Sequence, residues 1–179
     1  MSASRVLLEA PGASFDEPFE MLAACHERIE RMLTLLARLR AHVRANGCDA
    51  QAQQAARDVM RYFDLAAPQH HLDEELHVFP PLRARGEAPL TQLVERLQHD
   101  HRVMEARWQD ARAVLASVAQ GGNDRLRPED EARLDAFASL YADHLRAEED
   151  IAYPAADALL DAATRSAMGD EMARRRGAK

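Results

Sequence analysis

Two stretches of the chain, one in each half, repeat histidine and glutamate at the same spacing. The first is HHLDEELHVFP, residues 70–80, and the second is HLRAEEDIAYP, residues 144–154. Aligning His70 with His144 reproduces the whole pattern His-x-x-x-Glu-Glu-x-x-x-aromatic-Pro. On a helix, a histidine and a glutamate four residues apart share one face and lie about 6 Å apart along the axis. Side chains so placed can bind the same metal ion, and imidazole with carboxylate suits iron or manganese.

The composition predicts that helices position these residues. The chain has 179 residues, of which 47% are hydrophobic and 30% charged, so we expect one globular domain with a sizeable core. Good helix formers dominate, and the sequence shows no strand pattern. The net charge of -7 argues against binding to nucleic acid or to anionic membranes.

The cysteine content and the absence of long apolar segments predict a cytoplasmic protein. The two cysteines, Cys25 and Cys48, form neither a disulfide framework nor a Cys-x-x-Cys site, which fits a reducing compartment. The sequence contains no apolar run of membrane length, and its first residues do not resemble a signal peptide.

Helix start and stop signals predict an all-α fold, an antiparallel up-down-up-down four-helix bundle with a short C-terminal fifth helix. We expect a kink or brief break at Pro68 in the second helix. The predicted segments are an N-terminal extension (1–17), the bundle (18–154) and a C-terminal helix with a basic tail (155–179). The predicted helices cover residues 18–46, 49–79, 90–119, 128–153 and 155–175.

Each of the four long helices places one histidine on its apolar face. His26 continues the three- and four-residue spacing of Leu22 and Ile29 in the first helix, and His101 does so in the third. The second helix adds His70 with Glu74 to its stripe. In the fourth helix the stripe is formed by Phe137, Leu140, His144, Glu148 and Ile151.

These buried polar residues have two interpretations. A single histidine in a core is usually satisfied by a backbone carbonyl or by one buried His–Glu hydrogen bond. Four histidines and two glutamates converging from four helices favour a dinuclear metal centre instead. Two bridging glutamates, four imidazoles and an oxide or hydroxide bridge would leave two of twelve coordination positions open for a small ligand.

At these residues the chain resembles the hemerythrin-like, or HHE cation-binding, proteins. The resemblance rests on CHERIERML (25–33), DHRVMEARW (100–108) and the two repeated stretches. It implies a four-helix bundle that holds two non-haem iron ions, with manganese or zinc as substitutes. By position, the terminal imidazoles would be His26, His70, His101 and His144. The bridging carboxylates would be Glu74 and Glu148.

The sequence departs from the oxygen-carrying members at two positions. Those proteins have a second histidine four residues after the first on the third helix, where this chain has Glu105. They usually carry an aspartate where this chain has Glu148. Glu105 could be a third carboxylate ligand or a surface residue beside Arg102, and Glu30, four residues after His26, raises the same question.

Residues adjacent to the predicted ligands also have alternative roles. His71 could replace a ligand, or it could donate a hydrogen bond that orients Glu74 or Glu75. Glu75 and Glu149 are expected to face outward toward arginines. The basic tail, residues 174–179, is expected to be a solvated helix end.

Three functions from different classes are compatible with this pattern. The first is a protein that binds or senses dioxygen, nitric oxide or iron itself. The second is a di-iron oxidoreductase that acts on peroxide or nitric oxide, or donates iron in repair. The third is a bundle whose His–Glu pairs bind no metal. The expected partner is a small diatomic ligand or oxidant. The fifth helix and basic tail could dock on the bundle, form a homodimer or recruit a partner.

Overall fold

Four long helical arms, joined by short connections, form the fold in a computed structural model that describes residues 14–122 and 124–178. The described part of the chain contains helices and no strands, which confirms the predicted all-α bundle with a short C-terminal helix. The helices in chain order are α1 (Pro18–Asn46), α2 (Ala50–Asp73), α3 (Phe79–Arg85), α4 (Ala88–Ala119), α5 (Pro128–Ala138), α6 (Tyr141–Ala147), α7 (Tyr153–Asp157) and α8 (Ala162–Arg175). The first arm is α1, the second is α2 with α3, the third is α4, and the fourth is α5 with α6 and α7.

Two five-residue π-helical segments interrupt the second and fourth arms directly at the repeated motif. The first π-turn is Glu74–Val78, between α2 and α3, and the second is Glu148–Ala152, between α6 and α7. In each, the aromatic residue donates its backbone N–H to the carbonyl of the glutamate five residues earlier. The following residue, Pro80 or Pro154, has no N–H to donate, which lowers the cost of leaving the α-helical pattern.

The π-turns change which side chains face the core. One extra residue in a turn rotates everything that follows it, so a spacing that assumes 3.6 residues per turn fails beyond Glu148. The predicted core position Ile151 is therefore wrong, because this side chain is 49% exposed. Ala152 and Tyr153 are buried in its place.

Other element boundaries also differ from the prediction, and the second arm continues to Arg85 where the prediction ended it at residue 79. α2 passes through Pro68 without a break. The fourth arm is interrupted at residues 139–140, between α5 and α6, so it is not one continuous helix. The fifth helix begins at Ala162, where Asp161 caps it by accepting a hydrogen bond from the backbone N–H of Thr164 at 2.7 Å.

The apolar core consists of two clusters, and the layer of buried polar residues lies between them. One cluster includes Phe63, Trp108 and Phe137, and the other includes Leu22 and Leu97. All six predicted ligands lie where the two clusters meet along the arms. The polar layer is thus enclosed by apolar packing on both sides.

The C-terminal helix packs on the bundle beside this layer. Met168 and Met172 of α8 are buried in the second cluster. The guanidinium of Arg175 donates to buried Asp73 at 2.6 Å, and Arg176 donates to the same carboxylate. The prediction of a solvated basic tail is therefore wrong, since these two arginines neutralise the carboxylate that precedes Glu74.

The described residues cover only part of the predicted N-terminal extension, because residues 1–13 lie outside them. Among the described helices, none combines the length and apolar content needed to cross a membrane.

Candidate metal centre

The structure brings all six predicted ligands together in the bundle interior. Each arm contributes one histidine, and the second and fourth arms each add the glutamate that opens a π-turn. Every one of these residues is at least 94% buried. The residues are His26, His70, Glu74, His101, His144 and Glu148.

The Glu74 carboxylate lies between the two halves of this group, of which the first contains His26 and His70 and the second His101 and His144. Its Oε1 is 3.4 Å from Nε2 of His70 and 3.9 Å from Nε2 of His26. Its Oε2 is 3.3 Å from Nε2 of His101, on the other side. One oxygen therefore faces each half, which is the arrangement that a carboxylate bridging two ions needs.

The Glu148 carboxylate is oriented in the same way. Its Oε2 is 3.3 Å from Nε2 of His26, and its Oε1 is 2.9 Å from Nε2 of His144 and 3.7 Å from Nε2 of His101. Two sets of donors converge closely enough to hold an ion. One set is His26, His70, Glu74 and Glu148, and the other is His101, His144 and Glu148.

Several donor atoms in this layer are buried and have no hydrogen-bond partner within the part of the chain that the structure describes. Buried polar atoms are normally paired, and leaving one unpaired costs about 1–3 kcal/mol. A bound cation would satisfy these atoms together, so the donor set fits a metal. The atoms are His70 Nδ1 and Nε2, Glu74 Oε2, His101 Nε2, His144 Nε2, and Glu148 Oε1 and Oε2.

The second glutamate of each repeat holds a histidine from the other half of the chain. His26 donates from Nδ1 to Glu149 Oε1 at 2.8 Å, and His101 donates from Nδ1 to Glu75 Oε1 at 3.1 Å. These bonds leave Nε2 of each ring directed at the centre. The prediction that Glu75 and Glu149 face arginines is wrong, although the doubled Glu-Glu of the repeat was a signal for this role.

The other two histidines are held differently. His144 lies with Nδ1 3.3 Å from Asp100 Oδ2, a contact that no sequence motif indicated. His70 has no hydrogen-bond partner at either ring nitrogen among the described residues. Its position depends on packing, including an edge-to-face contact with the ring of His26 at 4.8 Å.

The aromatic residues of the two repeats cover opposite halves of the centre. Tyr153 stacks on His26 at 5.2 Å, donates its hydroxyl to Glu74 Oε1, and lies 2.8 Å from Nε2 of His26. Phe79 stacks on His101 at 5.6 Å and has no polar group to offer. Burial and the nearby Glu74 carboxylate raise the pKa of Tyr153 well above its usual range.

The carboxylates hold protons on two of the imidazoles in the metal-free protein. Burial disfavours a charged ring, but the adjacent Glu148 and Glu74 carboxylates outweigh it and raise the pKa of both His26 and His101 to about 10. Burial, aided by the charge on His26, lowers the pKa of His70. Two positive and two negative charges therefore balance, and metal ions would take the place of the two protons.

The glutamates are ionised despite their burial. Burial and the Glu74 charge act to raise the pKa of Glu148, but the adjacent imidazoles of His101, His144 and His26 hold it at about 2. The same kind of interaction lowers the pKa of Glu74 well below its usual value, against burial. The ionised carboxylates and the imidazole Nε2 atoms that face them are donor types that iron and manganese bind.

Three residues with open roles lie outside both donor sets. His71 is half-buried and stacks on the ring of His101 at 4.0 Å, nearly parallel to it. It makes no hydrogen bond to Glu74 or Glu75 among the contacts of the described residues. Glu105 and Glu30 are exposed, so the structure places neither in the buried group.

The fold and this layer define a class of protein, a four-helix bundle whose interior imidazoles and carboxylates could hold metal ions. Residues 17–156 match the family of the hemerythrin HHE cation binding domain, and the chain belongs to that family. The chain is also similar to an uncharacterized protein of Haemophilus influenzae. The two are 29% identical over 168 residues, which cover 93% of this chain and 94% of that protein.

Proposed function

We propose that the protein is a non-haem di-iron protein that binds or senses a small ligand such as dioxygen, nitric oxide or iron itself. The observation that supports it is the cluster of unpartnered buried donors, in which each glutamate presents one oxygen to each half. Isolated His–Glu pairs would have left fewer atoms unsatisfied. Two bound irons would supply reversible binding of a small molecule, and the donor types suit iron.

The chain's own residues would hold and shield the pair. His26 and His70 would bind one ion, and His101 and His144 the other, with Glu74 and Glu148 between them. The glutamates at 75 and 149 fix two imidazoles, as described above. Apolar clusters on both sides keep bulk water away, which strengthens every electrostatic contact in the layer.

The test is metal content and an optical spectrum of iron-loaded protein. We expect two irons per chain and near-ultraviolet ligand-to-iron bands, both lost when Glu74→Gln and Glu148→Gln are combined. The matched control combines Glu30→Gln and Glu105→Gln, which removes two exposed carboxylates outside the donor sets. Absence of bound iron from wild type and double variant alike would establish a bundle with buried His–Glu pairs and no metal. Two irons retained in the double variant would show that the iron binds outside this layer.

One observation favours an oxidoreductase as the second candidate. The donor set around His101 and His144 contains three residues, whereas the other contains four. Fewer protein donors leave more positions for a substrate such as peroxide or nitric oxide. Consumption of many equivalents of either substrate per centre would support an enzyme, and consumption of only one or two equivalents would support binding or sensing.

A further inference from the structure

The three tyrosines of the chain are all buried, but they differ in what their hydroxyl groups contact. Tyr62 donates to the backbone carbonyl of Cys25 at 3.2 Å, and Tyr153 donates to Glu74. Tyr141 is only 2% exposed, yet its hydroxyl makes no hydrogen bond within the part of the chain that the structure describes. A buried tyrosine hydroxyl usually has a partner, so this donor is open to a group that the fold itself does not supply.

Tyr141 shares a helical face with two of the predicted ligands. It is the first residue of α6, three residues before His144 and seven before Glu148, so all three lie along one stripe. Its ring packs against Phe63 and Phe137, with centroid separations of 5.8 and 5.3 Å. These contacts hold the ring where the metal-binding layer meets the first apolar cluster.

A cavity of about 410 Å³ connects Tyr141 with the second half of the centre. It opens between α2 and α4, and Tyr141 and His101 both line it. One water takes up about 30 Å³ of liquid, so the cavity has ample room for a diatomic molecule or peroxide. A small ligand that reaches the second half through this cavity therefore meets the wall to which Tyr141 belongs.

The other fully buried polar side chains of this wall already have partners. Nε1 of Trp108 donates to Asp64 at 3.0 Å, and Nδ1 of His101 donates to Glu75 at 3.1 Å. The hydroxyl of Tyr141 is thus the fully buried donor of the wall that is free to bind a ligand.

The Tyr141 hydroxyl keeps its proton and so remains a donor. Burial is the main cause that raises its pKa above the ordinary value, and the neighbouring Tyr62 and the Glu148 carboxylate add to it. The influence of Glu148 means that the hydroxyl lies close to the metal-binding layer. In such apolar surroundings a hydrogen bond to a charged acceptor is stronger than in water.

We propose that Tyr141 donates a hydrogen bond to the small ligand of the second half, and so favours a ligand that is anionic when bound. The inference rests on the proposed di-iron function. The donor set of this half contains three residues, which leaves positions for such a ligand. Tyr141 is a positioning residue in this role, and the metal is held by the histidines and glutamates alone.

Azide binding to the iron-loaded protein tests the proposal, because azide is a small anion whose nitrogen atoms accept hydrogen bonds. Tyr141→Phe removes the hydroxyl and keeps the ring, so it should weaken azide binding about tenfold at unchanged iron content. The infrared stretch of bound azide should also shift, since its frequency responds to a hydrogen bond. Tyr62→Phe is the matched control, because that hydroxyl bonds to a carbonyl and does not line the cavity. It should leave both readouts at their wild-type values.

Urea unfolding of the metal-free protein separates this role from a structural one. A hydroxyl without a partner adds nothing to the fold, so Tyr141→Phe should leave the unfolding midpoint unchanged, whereas Tyr62→Phe should lower it. A midpoint lowered equally by both variants would overturn the proposal.

Iron content keeps this proposal distinct from the proposed function. Two irons per chain with the same azide affinity in wild type and Tyr141→Phe would overturn the role of Tyr141 alone. A wild type that binds no iron would overturn the di-iron function and this inference together.

Discussion

The two halves of the candidate centre are built from one repeated motif, yet their surroundings differ. The half with His26 and His70 is closed by Tyr153, whose hydroxyl bonds to Glu74. The half with His101 and His144 is covered by Phe79, and the ring of His101 also lines a cavity of about 410 Å³. The two halves thus differ in the hydroxyl group of the covering ring and in their contact with a cavity.

This difference shows how a repeat can supply a symmetric framework for an asymmetric site. The shared residues fix two histidine–glutamate pairs and two π-turns in equivalent places. The aromatic position, which packs on the opposite half in each case, supplies a hydroxyl group to one half alone. The cavity beside His101 is lined by neither aromatic residue, and a small ligand in it would lie next to the second half.

The largest expected effect is the loss of metal binding when either glutamate ligand is replaced. The two glutamates differ in the number of donor sets to which they belong. Glu148 belongs to both sets, whereas Glu74 belongs to the first alone. Glu148→Gln should weaken binding of both irons by more than about 100-fold, the upper end of what loss of an outer-shell partner costs. Glu74→Gln should leave one iron per chain.

Metal-to-protein ratios after loading and desalting distinguish the two variants, with Glu105→Gln as the exposed control. Equal ratios for Glu74→Gln and Glu148→Gln would show that the glutamates bridge equivalently. That outcome has a structural basis, because Glu74 Oε2 lies 3.3 Å from His101 Nε2, in the second half of the centre.

The next effect is a steep dependence of metal binding on pH. His26 and His101, with pKa values of about 10, hold protons at pH 7 that a metal must displace. Binding of two ions should release about two protons, one for each ion, so the apparent affinity for each ion should rise about tenfold per pH unit up to pH 10 and then level off. Calorimetry of zinc binding in two buffers with different ionisation enthalpies measures the proton count.

The same protons stabilise the metal-free fold, with the opposite dependence on pH. Because folding raises these pKa values from 6.5 to about 10, the stabilisation is complete below pH 6.5 and is lost as pH rises toward 10. Release of less than one proton on metal binding would mean that the imidazoles are neutral before the metal arrives.

The sequence was sufficient to predict the bundle and the six converging residues, since helical spacing brings His70 and Glu74, or His144 and Glu148, onto one face. It could not predict the π-turns, because Pro80 and Pro154 only permit the extra residue, and packing across helices decides whether the turn takes it. Without them, Glu75 and Glu149 were expected to point outward. Contacts between distant segments, such as Arg175 with Asp73, likewise leave no periodic signal.

A smaller effect separates the two outer glutamates. Glu149→Gln should loosen His26 and so weaken the first metal position, and Glu75→Gln should loosen His101 and weaken the second. Each should cost about 10–100-fold in affinity for one ion, with the other retained. Competition with a chelator measures the two affinities, and Asp150→Asn, an exposed neighbour, serves as control. If both variants weaken the same ion, the two glutamates do not act on separate halves.

The smallest expected effect comes from removing the hydroxyl group that distinguishes the two halves of the centre. Tyr153→Phe deletes the hydroxyl that donates to Glu74 and should lower the free energy of unfolding of the metal-free protein by about 1.5–3 kcal/mol, the range for a hydrogen bond to a charged group. Tyr62→Phe is the matched control, since that hydroxyl donates to the neutral carbonyl of Cys25 and should cost about 1 kcal/mol. Urea unfolding compares the two, and an equal loss would show that Tyr153 closes its half by packing, as Phe79 does.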